Sequence, residues 1–102
     1  MPFTREEQNG NAVFRMKGEM TVYQAASLRD AFLESLDAFD GVIVDLRAVT
    51  EIDVPGLQLI VSAQKTAEKR NKTFSVGALS DVVMDAVCRI GLERHALFEK
   101  LK

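Results

Sequence analysis

Apolar and polar positions alternate along Ala12-Val13-Phe14-Arg15-Met16-Lys17-Gly18, which predicts a strand with one buried face. The preceding Gln8-Asn9-Gly10-Asn11 has the chemistry of a tight hairpin turn, so Pro2 to Glu6 is expected to pair with that strand. Thr21 followed three positions later by Gln24 reads as a capping box, in which each side chain satisfies a free donor at a helix start. A helix is predicted from about Val22 to Leu36. Its stripe is Ala25, Leu28, Phe32 and Leu36, with Val22 and Leu33 beside it, at the three- and four-residue spacing of one helix face.

Gly41-Val42-Ile43-Val44-Asp45-Leu46 has no alternation, and a β-branched run of this kind suits a central strand covered on both faces, with Ile43 inside. After a loop through Thr50, a second helix is expected near Asp53-Val54-Pro55-Gly56. There Asp can accept from free N–H groups and Pro does no harm in the first turn. Its buried stripe is Leu57, Ile60, Ala63 and Ala67, with Leu59 and Val61 at opposite margins, and Asn71 is its stop. Thr73-Phe74-Ser75-Val76-Gly77 alternates as a strand. Ser80-Asp81 caps a third helix whose predicted stripe is Val82, Val83, Ala86, Val87 and Ile90, ended by Gly91. Leu92 to Lys102 fits a short strand or a short helix equally well. Strands separated by helices point to an α/β sheet with right-handed crossovers and an antiparallel edge contributed by the hairpin.

At 102 residues with 47% hydrophobic content, the chain is expected to form one domain, 1–102. The net charge of -2, with both signs mixed, offers no basic field for nucleic acid or an anionic membrane. No apolar run reaches the roughly 20 residues of a membrane span, so no direct membrane insertion is expected. Met1 to Gln8 is too polar for a signal peptide. With a single cysteine, Cys88, no internal disulfide can form, which suits a reducing, cytoplasmic setting.

From Val42 to Leu57 the chain resembles the core signature of the STAS family: a hydrophobic strand ending in Asp45-Leu46, then a loop reaching Asp53-Val54-Pro55-Gly56-Leu57. Gly18-Glu19-Met20-Thr21 is similar to the family's Gly-Glu-Leu segment, and the element order fits from Phe3 to Phe98. The resemblance implies a STAS fold with a mixed four- to five-stranded sheet, an N-terminal antiparallel hairpin and three main helices. It also implies a bacterial protein-binding adaptor of the anti-sigma factor antagonist type, acting in signal transduction and transcription regulation. The implied partner is an anti-sigma factor, a histidine-kinase-like ATPase. The contact surface would be Asp53, Val54, Pro55, Gly56, Leu57 and Gln58. In switching members a Ser or Thr immediately before that Gly is phosphorylated, whereas Pro55 holds the position here and has no hydroxyl. Thr50 and Ser62 are the hydroxyls that could substitute. The alternatives are a STAS component of a chemosensory system or of a lipid-transport ABC complex, and a small-molecule or nucleotide-sensing STAS module.

Catalysis needs a nucleophile with a base, a carboxylate pair in contrasting environments, or grouped metal ligands. The lone His95 reads as a surface residue, and Asp45 and Asp53 read as strand-end and cap residues rather than an acid/base pair. No phosphate-cradling Gly-rich loop or dinucleotide fingerprint is present in the sequence. No enzyme activity, cofactor or metal is expected. Met84 and Cys88 sit together beside the third helix's stripe, where they form a small apolar patch or are covered by the C-terminal segment carrying Leu97 and Phe98.

Overall fold

The structure, a computed structural model, describes residues 3–92. In chain order its elements are β1 (Phe3–Gln8), β2 (Asn11–Met20), α1 (Val22–Ala38), β3 (Gly41–Ile52), α2 (Val54–Lys69), β4 (Thr73–Leu79) and α3 (Asp81–Arg89). The four strands form one sheet in the order β1-β2-β3-β4. β1 pairs antiparallel with β2, whereas β2 with β3 and β3 with β4 are parallel. The hairpin turn is Asn9-Gly10, both in the left-handed region at φ 53 and 84, the geometry whose twist matches paired strands. A mixed sheet of four strands with three helices and an N-terminal hairpin is therefore observed. The expected end of α2 is also found, with Asn71 at φ 58 just after the helix.

One face of the sheet carries the core. Ala12 and Phe14 lie in register with Val42 and Val44, and Val42 and Val44 with Phe74 and Val76, so these side chains share a face. Phe32 of α1 packs edge-on between Phe14 and Phe74, with ring centroids 4.9 and 5.6 Å away. Leu28, Phe32 and Leu36 of α1, Leu57, Ile60, Ala63 and Ala67 of α2, and Val83 and Val87 of α3 all join one buried cluster with these strands.

Three sequence expectations need correction. First, β3 is central in the sheet, but among the described residues the helices cover only one of its faces. Val42, Val44 and Leu46 are fully buried, whereas Ile43 is half-buried and lies outside the core cluster. An unbroken β-branched run reports paired edges, but it does not report whether a layer of helices lies on each face. Second, the expected loop through Thr50 is strand. β3 continues to Ile52 beside β2, with register irregularities between Arg15 and Lys17 and between Gly18 and Glu19. Those bulges break the period of two that would have marked the segment as strand. Third, Val22, Val82 and Ile90 stand 55%, 43% and 41% exposed, outside the stripes assigned to them. Val22 and Val82 lie in first turns, beyond the sheet's end, and Ile90 is the C-cap of α3. Ser35 takes an unexpected place in the α1 stripe, fully buried, and its Oγ accepts from an Arg5 guanidinium nitrogen at 3.2 Å.

Candidate docking surface

Because β2, β3 and β4 are parallel and each leads into a helix, α1, α2 and α3 all begin at the same end of the sheet. Asp53 is the junction there. Its backbone is extended (φ -113, ψ 176) and one carboxylate oxygen accepts from the Gly56 N–H at 2.8 Å, capping α2. The other oxygen accepts from the Val22 N–H at 2.9 Å, so a single carboxylate ties the starts of α1 and α2 together. Thr21 and Gln24 complete the α1 end: the Gln24 side-chain oxygen accepts from the Thr21 N–H at 3.0 Å and from its hydroxyl at 2.7 Å.

Gly56 is required by close approach. A Cβ at this position would run into the main-chain oxygen of Met20 and lie 3.2 Å from both Ile52 and the Asp53 carboxylate. Any side chain here pushes the start of α2 off the end of β2. The Asp-x-x-Gly-Leu pattern thus has a structural reading: Asp caps, Gly permits contact, and Leu57, at 1% exposure, anchors the turn in the core.

Of the six residues expected at the contact surface, Gly56 and Leu57 are buried and Asp53 is committed to two backbone donors. Val54, Pro55 and Gln58 remain exposed. Val54 and Gln58 border a groove of about 450 Å³ that runs along α2 past Val61, Ser62 and Lys65 and is flanked on its far side by Ile90 and Leu92, while Pro55 lies in the same first turn outside the groove lining. Positions 54, 58, 61, 62 and 65 recur at helical spacing, so this is a second stripe on α2, turned away from the core stripe. Leu59 and Val61 are both half-buried against the core, and Val61 also lines the groove. Lys65 and Ile90 were missed because the groove forms only when the end of α3 comes alongside α2. The spacing of 54, 58 and 61 was the legible part.

The remaining candidates do not gather into a site. Asp45 accepts from the Arg47 N–H at 2.9 Å and lies 3.8 Å from Arg15 and 3.6 Å from Arg47, partners separate from those of Asp53. Thr50 is exposed on β3, away from the groove, while Ser62 is exposed within it. Met84 is half-buried and Cys88 exposed with a free thiol. His95, Leu97, Phe98 and the undecided C-terminal element lie outside the described residues. Among the described residues no group of three or more His, Cys, Asp or Glu side chains could hold a metal ion, and no helix is long and apolar enough to cross a membrane.

The profile of the family described as Mlab, STAS domain matches residues 3–100. The chain belongs to the STAS domain family. No curated protein matches it. Among solved structures, the fold is similar to a putative anti-sigma factor antagonist from Thermotoga maritima, 17% identical with a TM-score of 0.80 over 91% of this chain and 81% of that one. It is similar to the anti-sigma factor antagonist SpoIIAA of Bacillus in its unphosphorylated form, 18% identical with a TM-score of 0.75 over 88% and 81% of the two chains. A sulfate transporter family protein from Wolinella succinogenes is 23% identical, with a TM-score of 0.74 over 93% and 77%. At these identities the likeness establishes a shared STAS fold.

Proposed function

We propose that this STAS chain acts as a single-domain, non-catalytic adaptor in the bacterial cytoplasm, of the anti-sigma factor antagonist type, binding its partner through Val54, Pro55 and Gln58 and the groove beside them. The observation that carries this reading is the groove along the second face of α2, where Val54 stands exposed and Val61 half-buried among Gln58, Ser62 and Lys65, although a buried stripe already satisfies the helix's need for a core. The implied partner is an anti-sigma factor with a histidine-kinase-like ATPase fold. SpoIIAA has been solved in a phosphorylated form. Pro55, in the place of the family's hydroxyl, leaves this chain with no phosphate acceptor at the start of α2, so association here is set by the concentrations of the partners rather than by modification of that residue.

A second reading is a STAS component of a membrane-transport complex, supported by the fold likeness to a sulfate transporter family protein. The two readings share the groove and differ in who fills it. The test measures association of the purified chain with anti-sigma kinases and with transporter ATPase subunits from its own genome, for wild type, Pro55→Glu and Val61→Glu. Pro55 is exposed in the positive first turn of α2, where a carboxylate is tolerated, so Pro55→Glu should unfold like wild type. Either variant should weaken the true complex at least about tenfold, because a charge is desolvated in an apolar contact. Unchanged affinity in both variants would place the contact elsewhere.

A further inference from the structure

Tyr23 is the most exposed large apolar side chain of the described residues, at 88%, and Val22 beside it stands 55% exposed. Single exposed apolar residues need no explanation, but a contiguous group does. Here the two helix starts are brought together by Asp53. Its two oxygens hold the N–H groups of Val22 and Gly56 at 2.9 and 2.8 Å, and Gly56 lies against the Met20 carbonyl, one residue before the Thr21 cap of α1. The first turns of α1 and α2 are thus held together by one carboxylate, which places the exposed Val22 and Tyr23 at the same end of the sheet as the exposed Val54 and Pro55.

The strand ends beside the helix starts are acidic, whereas Lys65 lies farther along the α2 groove. Glu19 and Glu51 occupy neighbouring, in-register positions at the ends of β2 and β3, and both are exposed. Like charges placed opposite each other across strands repel. Among the described residues neither glutamate is within ion-pair distance of a cation. Asp81, exposed at the start of α3, adds a third carboxylate at the same end.

We propose that the docking surface continues from α2 onto the start of α1, with Tyr23 as its aromatic anchor, and that it takes a protein partner whose apolar contact is bordered by lysine or arginine side chains. The proposal rests on the adaptor reading and adds to it a location and a charge. A tyrosine brings a large, stiff contact area with a polar tip, which is why such residues dominate binding energy at the centres of interfaces. A basic border relieves the Glu19–Glu51 repulsion on binding, whereas an anionic partner adds to it.

The test titrates the isotope-labelled chain with two designed helical peptides, one of leucine and lysine and one of leucine and glutamate, and follows backbone amide signals. The leucine–lysine peptide should shift Val22, Tyr23 and Val54, and its affinity should fall at least about fivefold between low and high salt as screening sets in. A similar loss is expected for Tyr23→Ala, and separately for the pair Glu19→Gln with Glu51→Gln. Tyr23→Ala should not change thermal unfolding, since the side chain is almost wholly in solvent. The leucine–glutamate peptide should leave the signals in place. Equal response to both peptides overturns the charge assignment. Shifts confined to Val61, Lys65 and Ile90, abolished by Val61→Glu but not by Tyr23→Ala, overturn the extension onto α1 while leaving the α2 groove as the adaptor site. An absence of shifts anywhere at this end overturns the surface as a whole.

Discussion

On the helix side of β3, Val42, Val44 and Leu46 are fully buried beneath α1, α2 and α3, while on the other side Ile43 and Asp45 keep part of their surface in water. The two sides alternate residue by residue along the same strand, and their neighbours differ in kind. Val44 lies among aromatic rings and aliphatic side chains, whereas Ile43 and Asp45 share their face with Val13, Arg15 and Ser75. From Gly41 to Val44 the strand is paired on both edges, with β2 and with β4, so the ladder of hydrogen bonds there is common to both sides. What separates them is the layer of helices, and substitutions that respond to that layer should behave asymmetrically.

The largest expected contrast is between Val44→Asp and Ile43→Asp. Placing an unpaired carboxylate at Val44 costs several kcal/mol against a total stability of about 5–15 kcal/mol, so this variant should be unfolded or nearly so at room temperature. At Ile43 the new carboxylate can reach water, and the loss is a fraction of one side chain's burial, about 1–2 kcal/mol. Urea unfolding of both variants checks this. Equal destabilisation would mean that a layer outside residues 3–92 covers the open face.

Gly56→Ala tests how tightly the helix layer sits on the sheet. The added methyl meets the main-chain oxygen of Met20, which cannot move without shifting the end of β2, so the cost should fall in the upper part of the usual overpacking range of about 1–3 kcal/mol. A stability loss below a few tenths would show that α2 can lift away from β2 freely. Asp53→Ala should follow, at about 1–2 kcal/mol, because it removes a cap and leaves the Val22 and Gly56 donors to water. Asp53→Asn, which keeps one acceptor oxygen, should recover part of that loss. If Asn were no better than Ala, the negative charge rather than the hydrogen bonds would be what holds the two helix starts.

The same contrast explains what could be read from the sequence. The hairpin, the caps at Thr21, Asp53 and Ser80, and the buried stripes of α1 and α2 follow from local chemistry and periodicity, and the structure has them. The continuation of β3 from Arg47 to Ile52 was hidden by its own bulges, where β3 has one residue more than β2 at each register shift. The open face was hidden because a valine-isoleucine run looks the same whether one or two layers cover it. At the candidate site, Val54, Pro55 and Gln58 were legible through the signature around Gly56, whereas Tyr23 was not, because the joining of the α1 start to the α2 start depends on a carboxylate 30 residues away in sequence. Its aromatic character outside the α1 stripe was the available signal.

The smallest expected effect belongs to the open face itself. Arg15 lies 3.3 Å from Glu6 and 3.8 Å from Asp45, forming a cross-strand ion ladder over β1, β2 and β3 where the helix side has its apolar core. The Arg15 and Glu6 side chains are 45% and 52% exposed, so their attraction is weakened by water and by the cost of ordering two long side chains. Exposed pairs of this kind contribute about 0–1 kcal/mol. Arg15→Ala should therefore cost less than about 1 kcal/mol at low ionic strength, and most of the electrostatic part should vanish near 1 M salt, where the screening length is about 3 Å. Chemical unfolding by urea, which leaves ionic strength under control, measures both values. A loss above about 2 kcal/mol that persists at high salt would mean that the aliphatic stem of Arg15 covers the apolar surface of Val13 and Ile43, and that the open face contributes to stability by burial rather than by charge.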